Sequence, residues 1–122
     1  MQNNRLKKIV KTSLHLRILN TMTKTSHFKA LIHLKTTKEG GLVSPISTGF
    51  RSLFQFPFDL KTYIGVYTFE EDELIFPGDS VSIDITLLNA EEFLEKLFTG
   101  MDFELSDNSG AIGNGVVTVV YP

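Results

Sequence analysis

The chain has 122 residues, 42% of them hydrophobic, with no cysteine and a formal net charge of −2. That length suits one domain with one core. The missing cysteines exclude disulfides, thiol chemistry and cysteine-ligated zinc, and no oxidising compartment is implied. No apolar run reaches the roughly 18 residues of a spanning helix, and a cytoplasmic location is expected.

The small net charge hides an asymmetry. Residues 1–38 hold nine Lys/Arg and no acid, whereas residues 39–122 hold three Lys/Arg and fourteen acids, a balance of −11. This pattern describes a basic arm on an acidic body. The acidic body is a poor ligand for phosphate backbones, which bind by exchanging counterions for protein cations.

Residues 1–26 read as a separate basic leader. Arg5, Lys7, Lys8, Lys11 and Arg17 are interleaved with Leu6, Ile9, Val10, Leu14, Leu16, Ile18 and Leu19. The spacing of Leu6, Ile9 and Val10 is helical, that of Leu14, Leu16 and Ile18 alternates, and neither template dominates. Serine and arginine are sparse for a transit peptide, and a secretory core of seven or more apolar residues is missing. Four readings stay open: a disordered or loosely helical leader, a true start at Met22, a basic helix touching RNA or anionic lipid, and a partner-docking segment.

From His27 the period becomes two, and residues 27–122 read as one β domain. Phe28, Ala30, Ile32 and Leu34 alternate with Lys29, Leu31, His33 and Lys35, as in a half-buried strand. A loop with Glu39-Gly40-Gly41 follows. Phe50, Phe54, Phe56 and Phe58 share one parity and predict a second strand that lines a core with rings. Tyr63 to Phe69 is rich in β-branched and aromatic residues and reads as the third strand. Pro77-Gly78-Asp79 is a turn, because proline presets φ at its first central position and glycine supplies a positive φ at the second. Val81, Ile83, Ile85 and Leu87 mark the fourth strand, Met101 to Leu105 a short fifth, and Gly115 to Val120 the sixth. Many short strands with turn signals between them indicate a closed sheet. One core is expected to hold Phe28, Ile32, Phe54, Phe56, Ile83, Ile85 and Val116 or Val117.

Asn89 to Gly100 breaks this pattern and predicts a short helix. Asn89 is placed as its N-cap, Glu92 completes a capping box, and Gly100 follows the end. Phe93, Leu94, Leu97 and Phe98 form an apolar stripe that either plugs one barrel end or meets a partner.

Little in the chain nominates chemistry. There is no Gly-x-x-x-x-Gly-Lys-Ser/Thr loop, so no nucleotide binding is expected. Gly110 to Gly115 leads toward a strand and reads as turn and barrel-closing glycines rather than a dinucleotide loop. His15, His27 and His33 lack metal-ligand spacing, and Glu70-Glu71-Asp72-Glu73 reads as an acidic solvated turn. No catalytic residue, cofactor or metal ligand is assigned. Arg51 has two readings, an ion pair with a barrel acid or a contact to a partner.

Several motifs recur in one order: Glu39-Gly40-Gly41 with Ser44-Pro45, Gly49-Phe50-Arg51, Phe54 and Phe56, Gly65, Pro77-Gly78-Asp79, and Gly113-Asn114-Gly115-Val116-Val117. From His27 to Val120 the chain thereby resembles the C-terminal, third domain of translation elongation factor Tu, standing alone without a GTPase domain. The resemblance implies an all-β fold, a six-stranded closed antiparallel barrel. It also implies a translation-associated role and a surface that meets tRNA. Leu53 stands where that family carries a tRNA-contacting glutamine, Ile64 where it carries a threonine, and Asp107 matches an acidic position of its last hairpin. Two apolar replacements at polar contacts argue against tRNA binding in the family's manner.

The expected function is therefore a non-catalytic interaction module whose surface comprises Arg51, Leu53, Gln55 and Asp107, with Leu31 and Leu88 also on outward strand faces. A protein partner or homodimer is favoured over RNA, because residues 27–122 carry six bases against fourteen acids. A tRNA- or RNA-binding module that uses the leader and the second strand is the alternative.

Overall fold

The computed structural model describes residues 26–122, and the expectations for residues 1–25 lie outside the described residues. Six strands form a closed antiparallel barrel: β1 (Phe28–Leu34), β2 (Arg51–Gln55), β3 (Thr62–Thr68), β4 (Ser80–Leu87), β5 (Asp102–Asp107) and β6 (Gly110–Val120), in the spatial order β1-β4-β3-β2-β5-β6. Closure follows from β1 pairing with both β4 and β6, so every strand has two neighbours and no edge is open.

Alternation places one face of each strand inward. Phe28, Ala30, Ile32 and Leu34 of β1 are buried, as are Phe54, Tyr63, Tyr67, Ile83, Ile85, Leu87, Phe103, Leu105, Ile112 and Val117. The expected core residues are all buried, Phe56 just beyond the end of β2, with Val117 rather than Val116 turned inward. Ser52 is the buried polar residue among the described residues. Its Oγ lies 2.8 Å from the Tyr67 hydroxyl, which satisfies both groups, and burial raises the Tyr67 pKa above the usual phenol value.

Two connections cross between strands that are not neighbours, and each caps an end of the barrel. Residues 35–50 pass from β1 to β2 and are tied down by the Ile46–Ile75 bridge. The Pro77-Gly78 turn forms as expected beneath them. Gly78 has φ +94°, and the Asp79 N–H donates to the Phe76 carbonyl at 3.0 Å. Residues 88–101 cross the other end, where Phe93 packs on Phe56 and Tyr63 with ring centres 4.5 and 4.9 Å apart.

Three local expectations need correction. The helix is one turn, Glu91–Leu94, and its N-cap is Ala90 without a side-chain bond. Asn89 instead has φ +53° and redirects the chain out of β4. The amide of Leu88, just before it, still donates to Ile64 on β3, and the left-handed Asn89 does not have the extended backbone of an N-cap. Phe93 plugs the barrel end, while Phe98 from the same stripe is exposed. On β2 the strand ends at Gln55. Phe50 is only half-buried, edge-on to Tyr67, and Phe58 is 57% exposed in the β2–β3 turn. Finally, β6 begins at Gly110 rather than Gly115, and β5 extends to Asp107.

The β1 strand is anchored at its start by His27. Its N–H donates to Ile85 at 2.8 Å, its carbonyl accepts from Tyr121, and its Nδ1 accepts the Leu87 N–H at 3.0 Å. An accepting Nδ1 requires the neutral ring with its proton on Nε2. Desolvation outweighs the opposing pull of Glu91 and holds the pKa below the ordinary 6.5. The folded chain thus binds this proton more weakly than the unfolded chain. The stabilisation is complete above pH 6.5 and is lost as pH falls through the lowered folded value. His27→Asn, whose Oδ1 can keep the acceptor, should flatten that part of the stability–pH curve. An NMR titration that puts His27 at or above 6.5 would contradict this assignment.

Candidate functional site

The Glu39-Gly40-Gly41 motif is used by its own loop. Thr36-Thr37-Lys38-Glu39 forms a capping box. The Glu39 N–H donates to Thr36 Oγ1 at 3.2 Å, and the Thr36 N–H donates to Glu39 Oε1 at 3.0 Å. The Thr36 backbone, then its hydroxyl, hold the Glu39 carboxyl below its usual pKa. Gly40 ends the turn in the left-handed region at φ +96°. A Cβ on Gly41 would collide with the Lys35 carbonyl. The motif therefore shapes the loop and leaves no side chain free for a ligand.

The outer wall of β2 carries the candidate surface. Arg51, Leu53 and Gln55 project outward, alternating with buried Ser52 and Phe54. Leu53 lies opposite Ile64 on β3 and Ser106 on β5. Directly opposed side chains on neighbouring strands touch, so Leu53 and the 45%-exposed Ile64 make an apolar strip across two strands. With Arg51, Ser106, Asp107 and Asn108 they line a shallow dip of about 290 Å³.

Charge flanks that strip. Asp107 Oδ1 accepts the Ser109 hydroxyl at 2.7 Å and the Ser109 N–H at 2.8 Å. These bonds shape the β5–β6 turn and hold the carboxyl below its usual pKa. Arg51 is exposed and makes no ion pair among the described residues, where the one salt bridge joins Lys29 to Asp84 at 3.4 Å. Its guanidinium is thus available to an incoming group.

Gln55 is not part of this dip. Its Nε2 donates to the Asp59 carbonyl at 3.0 Å and to the Leu60 carbonyl at 3.5 Å, fastening the β2–β3 turn. It borders a second groove, of about 490 Å³, between that turn and the wall of β5 and β6. Ser106 and Asn108 are the residues of the dip that sequence reasoning missed. Nothing local in the sequence signals that β5 lies beside β2; the strand order decides it.

A serine–histidine pair also occurs, with His33 Nδ1 2.9 Å from Ser80 Oγ. The two are opposed residues of β1 and β4, both exposed on an open strand surface. A nucleophile of this kind needs an oriented base and oxyanion donors around an enclosed reacting centre, whereas this pair is an ordinary cross-strand contact. Among the described residues, no three His, Asp or Glu side chains converge as metal ligands, and no helix is long and apolar enough to cross a membrane. No family model matches the chain.

Proposed function

We propose that the protein is a non-catalytic interaction module that binds a protein partner, or a second copy, through the β2–β3–β5 wall. We further propose kinship with the third barrel domain of elongation factor Tu, and through it a link to translation. The closed six-stranded barrel has the architecture such kinship requires, though fold alone does not determine function. The observation that carries the reading is the apolar strip of half-buried Leu53 and exposed Ile64, beside Arg51, which makes no ion pair among the described residues. An apolar centre rimmed by polar and charged groups is the anatomy of an association surface.

Leu53→Gln tests this proposal. It restores a polar group on a half-exposed wall position, so folding stability should move by no more than about 0.5 kcal/mol. Association with the captured partner, or with itself, should weaken about tenfold or more. Unchanged association by sedimentation or calorimetry, with the barrel intact, would remove the wall from the interface.

Arg51, which makes no ion pair among the described residues, also favours a second reading, in which the wall meets a nucleic-acid phosphate. Affinity for RNA would then fall steeply with added salt and would depend on Arg51, whereas an apolar contact centred on Leu53 would respond weakly.

A further inference from the structure

The groove bordered by Gln55 is distinct from the Leu53 dip and has its own chemistry. Pro57 and Leu60, which is 98% exposed, contribute its apolar surface, above the buried Phe56 and Phe103. The charged residues that line it are all acidic: Asp59, Asp102 and Glu104. Asp59 is already occupied by the Lys61 N–H and the Tyr63 hydroxyl. Asp102 and Glu104 are exposed on β5 and make no ion pair among the described residues. A ligand for this groove should offer cations interleaved with aliphatic side chains.

This chain supplies such a segment and delivers it nearby. Residues 1–25 contain six Lys/Arg, no acid, and Leu6, Ile9, Val10, Leu14, Leu16, Ile18 and Leu19. They join the barrel at Ser26, where Phe28 of β1 pairs with Val120 of β6. Asp102, at the start of β5, pairs with Val116 of the same β6. The groove is thus two strands round from the leader's attachment and near the same end. Two strand spacings of about 10 Å combine with the stretch of β6 from Val120 to Val116, about 13 Å, to about 16 Å from Phe28 to Asp102, which about five extended residues can cover. The tether raises the local concentration of leader to the order of millimolar.

We propose that residues 1–25 dock in cis into the groove between the β2–β3 turn and the β5–β6 wall, with their cations at Asp102 and Glu104 and their aliphatic residues on Leu60 and Pro57. This contact lies apart from the partner wall and stands independently of the function proposed above. It would cover the exposed aliphatic side chain of the turn and neutralise part of the barrel's acidic surface. Because both carboxylates are exposed, the contact should weaken with salt as the screening length contracts.

The experiment uses the full chain. It contains no cysteine, so Ser13→Cys takes a single nitroxide label. Paramagnetic broadening should concentrate on the amides of Leu60, Glu104 and Asn114, decline with added salt, and drop several-fold in Asp102→Asn/Glu104→Gln. Amide dispersion confirms that this variant is folded, and Leu53→Gln should leave the broadening unchanged. Broadening that is absent, centred elsewhere, or insensitive to the two neutralisations overturns the proposal. So does equal broadening when the label and the isotope are on different molecules, because the leader would then be docking on a second copy.

Discussion

Truncation of Phe54 to alanine should lower the free energy of unfolding by about 3–5 kcal/mol. The ring is fully buried and sits among four others. Phe103 is 5.0 Å away, Tyr67 5.9 Å, and Phe28 and Phe56 each 6.5 Å between ring centres. The hole left behind cannot close easily. Phe54 is paired on one side with Tyr63 of β3 and on the other with Leu105 of β5, so the wall that would have to collapse is hydrogen-bonded in both directions. A domain of this size is stable by only about 5–15 kcal/mol, so the variant should be close to unfolding at physiological temperature. Phe58→Ala is the internal control. That ring is exposed in the turn, and its loss should change stability by no more than about 0.5 kcal/mol. Denaturant titrations that give the two variants similar midpoints would show that the aromatic core is misplaced.

Gly65→Ala should cost about 1–3 kcal/mol or more, although it adds a single methyl group. Gly65 lies at the centre of β3, opposite Ser52 and Leu87. A Cβ built there falls on the Phe54 ring carbons. The ring has nowhere to retreat, because the neighbouring rings that stabilise it also confine it. The two sites should therefore be strongly coupled. Phe54→Leu should be far less harmful when Gly65 is already alanine, with an interaction energy of about 0.5–3 kcal/mol in a double-mutant cycle. Additive effects would mean that the glycine serves the backbone of β3 rather than the seat of the ring.

The sequence by itself determined the strands and the face that each turns inward. Period-two alternation is a local property, and it placed Phe28, Ile32, Ile83 and Ile85 inward because a strand buries every second residue whatever its neighbours. Turn chemistry is equally local. Pro77-Gly78 formed its expected turn, and the Thr36-to-Glu39 capping box was open to reading in the same way. Where local rules competed, tertiary structure chose. Asn89 has good N-cap chemistry, but the chain turns there through a left-handed φ after Leu88 pairs with β3, so Ala90 takes the cap position and the helix is one turn. Phe58 kept the parity of Phe54 but lost its burial, because β2 stops at Gln55 and the chain turns toward β3. The candidate surface divides along the same line. Arg51, Leu53 and Gln55 could be placed on one outward face from alternation alone. Only the lateral order of β3, β2 and β5 brings Ile64, Ser106 and Asp107 beside Leu53 and gives Gln55 to a different groove. Lateral order depends on how the two crossing connections close the barrel, and no short stretch of sequence carries that information.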